Sequence, residues 1–253
     1  MKRIEVFNPF NAPVYHEETV ASTMDISRDL AAMNEGHGTV IVADFQEAGR
    51  GRIRERSWEM EKKTNLPFTI LLRYPHIEAI PAALTLRSGL ATALAIEDFA
   101  PTLSGSIKIK WPNDIMIGSK KAAGILSEAD GGTVYIGIGI NFAQKEFHGI
   151  LRNKATSIGI ASHRDISPNE RFILLEKILY RLHSELGSTD WKSRLEELLY
   201  KTGEKVNFIE GAAESGKVFT GRLTGIGPNG ELLMEGANGA RSFITGELQD
   251  IYD

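Results

Sequence analysis

Arg50, Arg52, Arg54 and Arg56 alternate with Gly51, Ile53 and Glu55 in the run Gly49-Arg50-Gly51-Arg52-Ile53-Arg54-Glu55-Arg56. Each guanidinium offers a planar fork of donors that stays charged at any working pH and matches the oxygens of a phosphate or carboxylate. Gly49 and Gly51 let the backbone itself approach a ligand. The chemistry this suits is closure over an anion. For the stretch taken alone, a solvated surface loop is the plain alternative.

Other chemistry-bearing segments follow at intervals. Ser106-Ile107-Lys108-Ile109-Lys110-Trp111-Pro112-Asn113-Asp114 reads as a short alternating strand stopped by proline, with Lys108 and Lys110 on one face. After a brief turn come Lys120-Lys121-Ala122-Ala123-Gly124-Ile125-Leu126 and Thr133-Val134-Tyr135-Ile136-Gly137-Ile138-Gly139-Ile140-Asn141. In the last of these, Ile136, Ile138 and Ile140 line one face, and Gly137, Gly139 and Asn141 the other. Glycine weakens a strand, so two on one face suggest that something lies close against the backbone; tight sheet packing is the competing reading.

The GRGR loop, KWPND, KAAGIL and GIGIN, in this order, resemble the motif set of biotin protein ligases, also called biotin–[acetyl-CoA-carboxylase] ligases. The resemblance runs from Ser22-Thr23 to the C-terminal segment. It implies that the chain joins biotin to ATP, giving biotinyl-5′-AMP and pyrophosphate, and passes the biotinyl group to a lysine of a biotin carboxyl carrier protein domain. A carboxylate must then attack the α-phosphorus of a polyanion, and cations have to offset that repulsion, most strongly in the transition state.

By resemblance, Arg52, Lys121, Lys110 and Asp114 are the catalytic candidates. Ser22, Thr23, Gln46, Gly49, Arg50, Gly51, Arg52, Lys121, Gly124, Gly137 and Gly139 would hold biotin. Arg52, Arg56, Trp58, Lys110, Asn113, Asp114, Lys121 and Asn141 would hold ATP and the adenylate, with Asp114 as a Mg²⁺ contact. Ser22 also reads as a helix N-cap, since Ile26, Leu30 and Met33 follow at helical spacing; Trp58 reads equally as ordinary partial burial and Gln46 as a polar strand end. The sequence departs from the family pattern in two places. Met24 follows Ser22-Thr23 where an Asn is usual, and the basic loop lacks the second Gly-Arg step, leaving Arg54 or Arg56 for that role, with Arg56 favoured as nearer the Trp.

These side chains need elements to position them. Segments near 39–46, 66–73, 106–111, 122–129 and 133–141 read as strands, and 22–33 and 80–99 as helices. Ser167-Pro168-Asn169-Glu170 is a helix start with proline at the first position and a returning glutamate; that helix should end near Gly187, with another from Thr189 to Tyr200. From Gly203 onward, short β-like runs are divided by Gly225-Ile226-Gly227-Pro228-Asn229-Gly230 and Ala237-Asn238-Gly239, turn chemistry for hairpins. The expectation is two domains, residues 1–202 and 203–253. The resemblance implies that the first is an α/β (α+β) fold with a mixed sheet, akin to class II aminoacyl-tRNA synthetases, and the second a small SH3-like barrel. Gly211-Ala212-Ala213-Glu214-Ser215-Gly216-Lys217 lacks the Ser/Thr of a phosphate-binding loop, since Val218 follows, and reads as a turn.

Composition narrows the classes further. With 253 residues and 42% hydrophobic content the chain can bury a full core. A net charge of −4 argues against a dedicated polyanion binder. The absence of cysteine excludes disulfides, a thiol nucleophile and a thiolate zinc site. No leader-like segment opens the chain and no apolar stretch approaches a membrane span, so a cytoplasmic address without membrane partners is expected. Fewer than about thirty residues precede the Ser-Thr pair, too few for a DNA-binding domain, so no operator binding is expected. A homodimer through an exposed sheet edge is an arrangement the family implies. The alternatives are a lipoate or octanoate ligase or transferase of the same superfamily and, more distantly, a non-enzymatic biotin-sensing or nucleic-acid-binding module.

Overall fold

The structure, a computed structural model, describes residues 1–52, 58, 60–211 and 216–249. In chain order the first part runs β1 (Lys2–Ile4), β2 (Val14–Glu17), α1 (Thr23–Ala32), β3 (Thr39–Ala43), β4 (Asn65–Arg73), α2 (Leu84–Phe99), β5 (Ile107–Lys110), β6 (Asp114–Ile117), β7 (Lys120–Asp130) and β8 (Thr133–Asn141). Two short helices, α3 (Leu151–Lys154) and α4 (Ile158–Ser162), then lead to α5 (Arg171–Gly187) and α6 (Trp191–Glu197). The second part is β9 (Lys205–Glu210), β10 (Lys217–Ile226), β11 (Leu232–Gly236), β12 (Gly239–Phe243) and β13 (Glu247–Gln249).

The first eight strands form one sheet in the order β1-β2-β3-β4-β8-β7-β6-β5. Only the β2–β3 pair is parallel, so the sheet is mixed. Strand alternation divides its two faces. Ile136, Ile138 and Ile140 join Phe68, Ile70, Leu90, Ile96, Leu175 and Ile178 in the main core with α2 and α5. Tyr135 and Leu71 turn the other way, where they pack with Met24 of α1. Complete burial of side chains such as Phe68 and Ile70 contributes about 1.5–3 kcal/mol each.

α1 starts where the sequence pattern placed it. The Ser22 side chain accepts from the Met24 N–H at 3.3 Å and caps the helix. α5 opens through a single 3₁₀ turn, Pro168–Glu170, in which the Glu170 carboxylate accepts from the Ser167 N–H at 2.8 Å. One expectation is corrected. The stretch Ile77–Phe99 is long and apolar enough to cross a membrane by length and composition. Its apolarity has another cause: α2 packs against both the sheet and α5, so Leu86, Leu90, Ala93 and Ile96 are buried in the core.

The second sheet is antiparallel, in the order β12-β11-β10-β9-β13, with a bulge between Leu223 and Gly225. Its inner residues Val206, Phe208, Leu223, Met234, Phe243 and Leu248 belong to the same contiguous core as the large sheet. Trp111, 3% exposed, makes the join. Its ring meets Phe208 at 5.7 Å between centroids, and its Nε1–H donates to the Gly230 carbonyl at 2.9 Å. Glu196 of α6 adds a second tie by accepting from the Ile226 N–H at 3.0 Å.

Candidate active site

A cleft opens on the α1 face of the large sheet. Its floor is made of glycine. Gly124 of β7 and Gly139 of β8 are register partners, and Gly137 follows two residues away on the same face. A Cβ built on Gly139 would meet the Trp58 indole at 2.9 Å, one on Gly124 would meet Trp58 and Lys121 at 3.2–3.3 Å, and one on Gly137 would meet the Met24 thioether at 3.1 Å. Bare backbone here lets a flat group lie against the strands. Gly139→Val is therefore expected to keep the strand, which valine favours, and to weaken binding of any ligand on this floor. Overpacking of about 1–3 kcal/mol corresponds to a roughly 5- to 150-fold rise in Kd, readable by calorimetric titration.

One wall comes from the start of α1. Thr69 Oγ1–H donates to Thr23 Oγ1 at 2.9 Å, and both the hydroxyl and the backbone N–H of Thr23 donate to Gln46 Oε1, at 2.9 and 2.8 Å. This chain fixes the Gln46 amide and leaves its NH₂ group toward Gly49. Ser22, Thr23, Met24 and Gln46 all line the cleft.

The opposite rim is cationic. Arg50, Gly51, Arg52, Asn113 and Lys121 line it. Arg50 is ion-paired with Asp25, both about half exposed, and Arg52 Nη2 donates to the Gly246 carbonyl of the second sheet at 3.0 Å. Lys121 Nζ lies 2.6 Å from Asp114 Oδ1 and 5.5 Å from the Trp58 ring. Asp114 Oδ1 is nevertheless buried without a hydrogen bond, because the ammonium meets it off the hydrogen-bond axis. The Asn113 backbone and amide clasp Ile125 through two bonds of 2.9 Å, which hold this corner against β7. Trp58 lies over the glycine floor, its N–H bonded to the Gly49 carbonyl at 3.0 Å, so the neck of the basic loop is closed. Its indole Nε1–H is buried with no hydrogen-bond partner among the described residues.

Most of the residues singled out from sequence thus converge: Ser22, Thr23, Gln46, Arg50, Gly51, Arg52, Trp58, Asn113, Lys121, Gly124, Gly137 and Gly139 share one cleft. Gly49 and Asp114 stand behind it, in contact with Trp58 and Lys121 respectively. Lys110 and Asn141 do not line it. Lys110 is the register partner of Asp114 at the end of the β5–β6 hairpin, and the Asn141 amide, at the strand end, donates to the Thr156 carbonyl at 3.0 Å. Arg54 and Arg56 lie outside the described residues. Sequence reasoning missed Met24, Phe68, Ile125, Leu126 and Ile138 as lining groups; for Leu126, the register partner of Gly137, the available signal was strand alternation.

A resident divalent ion does not fit these side chains. Among the described residues no three His, Cys, Asp or Glu side chains come together, and the nearby carboxylates Asp25 and Asp114 are engaged by Arg50 and Lys121.

Residues 17–141 match the family model described as the biotin/lipoate A/B protein ligase family. The chain is 31% identical over 248 residues to the bifunctional ligase/repressor BirA of Bacillus spizizenii, covering 92% of this chain and 73% of that protein. It is likewise 31% identical to the biotin–[acetyl-CoA-carboxylase] ligase of Paracoccus denitrificans, over 82% of this chain and 88% of the relative. It belongs to the biotin protein ligase family. Solved structures agree with that membership. The biotin protein ligase of Aquifex aeolicus in complex with biotin and ATP superposes with a TM-score of 0.77 at 28% identity, over 93% of this chain and 97% of that one. The biotin protein ligase of Leishmania major in complex with biotinyl-5-AMP gives 0.65 at 25% identity, over 92% and 98%. The mixed sheet with its C-terminal antiparallel sheet is the architecture of biotin protein ligases.

Proposed function

We propose that this chain is an ATP-dependent biotin protein ligase, and that its cleft performs both halves of the reaction. The observation that carries the reading is the meeting, in one cleft, of a glycine floor suited to a flat ring with the cationic rim of Arg50, Arg52 and Lys121. Apolar ligands with a few polar atoms take such a site: a mostly hydrophobic slot and a few fixed donors and acceptors. Biotin has that chemistry, with a fused ring, a ureido group and a flexible acid chain. The ureido group suits Ser22, Thr23 and Gln46, and the ring the slot between that wall and the Trp58 indole, which itself lies against Gly124 and Gly139.

In the first half-reaction a biotin carboxylate oxygen forms a bond to the α-phosphorus of ATP, and the bond to pyrophosphate breaks. Lys121 and Arg52 offset the negative charge that builds on the phosphoryl oxygens. The Lys121–Asp114 contact holds the ammonium in place at the rim until the ligands arrive. Mg²⁺ enters as the counter-ion of the nucleotide substrate, since no set of side chains among the described residues is built to retain it. The basic loop, drawn closed at Gly49 and Trp58, shields the mixed anhydride from water. The unpartnered Trp58 indole N–H supports a ligand-contacting role, because a buried donor normally finds an acceptor.

In the second half-reaction the lysine amine of a biotin carboxyl carrier domain attacks the biotinyl carbonyl. An amide forms, AMP leaves, and the amine gives up its proton. The carrier is a domain of a biotin-dependent carboxylase, the partner class that the Paracoccus relative's name carries.

The test is biotin-dependent exchange of labelled pyrophosphate into ATP by the purified chain with Mg²⁺. Exchange that requires biotin supports the ligase. Exchange with lipoate or octanoate in place of biotin moves the chain to the lipoate side of the family, and no exchange with any of the three defeats the adenylation mechanism.

A further inference from the structure

Outside the residues that line the cleft lies a buried ionic cluster. Asp44, the residue after β3, and Arg171, the first residue of α5, form an ion pair in which both side chains are 4% exposed. His16 of β2 adds its Nε2 to the same carboxylate oxygen at 2.7 Å, and the Phe172 ring covers both the Arg171 guanidinium, at 4.8 Å, and the His16 ring, at 6.1 Å. A buried charge pair is poor evidence of stability for its own sake, because desolvation offsets much of the attraction. Its geometry suggests another use. Arg171 Nη1–H donates to the Lys63 carbonyl at 2.7 Å, while the Lys63 N–H donates to the Asp44 carbonyl at 3.0 Å. Lys63 itself has φ of 69°, a left-handed conformation that a lysine adopts only when its surroundings hold it there.

Residues 44 and 63 are the two ends of the segment that carries Gln46, Arg50, Arg52 and Trp58. The chain leaves the sheet at Asp44 and is brought back to the same point at Lys63, with Arg171 bound to both ends. A second anchor, from the Glu47 and Ala48 N–H groups to the carbonyls of Val20 and Ala21 at 3.0 and 2.9 Å, ties the outgoing limb to the Ser22-Thr23 wall. The returning limb has Arg171.

We propose that Arg171 is a positioning residue for the ligase reaction: by holding Asp44 and the Lys63 carbonyl together it sets the span of the basic loop, and so how firmly that loop retains the adenylate. This rests on the ligase reading. A guanidinium is required because its fork serves two acceptors at once. A lysine ammonium reaches one of them, and methionine neither.

The experiment compares wild type, Arg171→Lys and Arg171→Met. Each is loaded with labelled biotin and MgATP in the presence of pyrophosphatase, separated rapidly from free ligand, and followed for release of biotinyl-5′-AMP. The assay temperature lies well below the melting midpoint of each variant, measured separately by circular dichroism. Misplacing a reacting or retaining group by about 1 Å costs up to about 100-fold. For Arg171→Met the expected result is therefore release roughly tenfold faster or more, with a matching rise in the KM for biotin in pyrophosphate exchange and a smaller change in kcat; Arg171→Lys should fall between. A lowered melting point with wild-type adenylate lifetime and biotin KM in both variants would overturn the proposal and leave the pair a purely stabilising contact. Should Arg171→Met not fold, Arg171→Lys gives the same decision. Wild type without biotin-dependent exchange would overturn the ligase reading, and the proposal with it.

Discussion

Lys121→Ala is expected to reduce biotin-dependent pyrophosphate exchange by about 10²–10³-fold, the usual cost of removing one preorganised donor from a developing oxyanion. Lys121 is the lining cation carried on a strand rather than on the basic loop, and its ammonium is already held at 2.6 Å from Asp114. It therefore costs little reorganisation to use. The loss should fall on the rate more than on biotin affinity, because a ground-state carboxylate in a partly open cleft is well served by water. Calorimetry with biotin alone, beside exchange kinetics, separates the two. A variant exchanging within about threefold of wild type, less than the roughly 0.7 kcal/mol that P-O charge stabilisation by one cation would surpass, would remove Lys121 from the chemistry. Asp114→Asn is the companion control: it leaves the ammonium in place without its buried partner.

Trp111→Ala is expected to produce the largest loss of stability, about 3–5 kcal/mol, as for other fully buried aromatic truncations. The cost has three parts: the vacated volume, the lost ring contact with Phe208, and a Gly230 carbonyl left without its donor. Trp111→Phe keeps most of the volume and should lose only the hydrogen bond and some packing, on the order of 1–2 kcal/mol. Urea unfolding followed by circular dichroism measures both. If Trp111→Ala unfolds within about 1 kcal/mol of wild type, the join between the two sheets does not depend on this side chain.

Much of the cleft was legible because β8 obeys a strict alternation. Ile136, Ile138 and Ile140 are buried on one side, and the glycines between them face the cleft, as a period of two requires. The same alternation put Asn141 on the ligand face, yet at the end of the strand its amide turns to the Thr156 carbonyl. Periodicity speaks for the middle of an element better than for its end. β1 escaped notice because Lys2-Arg3-Ile4 is a charged three-residue edge strand, and β6 because four residues after a proline carry too little pattern. The Asp44–Arg171 pair joins residues 127 apart, and the spacing of neither residue signals the other. A buried arginine at the first position of a helix looks, in sequence, like any solvated one.

The contiguous core has a consequence for how this molecule comes apart. No side chain of β9–β13 lines the cleft, yet the apolar residues of that sheet are continuous with those beneath the catalytic strands. Two layers sharing one interior have no independent melting points: exposing either removes the partner surface of the other. Heating should give one transition seen alike by far-UV signal and by loss of exchange activity, with no interval in which the small sheet has frayed and the enzyme still turns over. The temperature ceiling of the chemistry is then set partly by a sheet that contributes no side chain to the cleft, and grafting that sheet from a relative would change heat tolerance before it changed specificity.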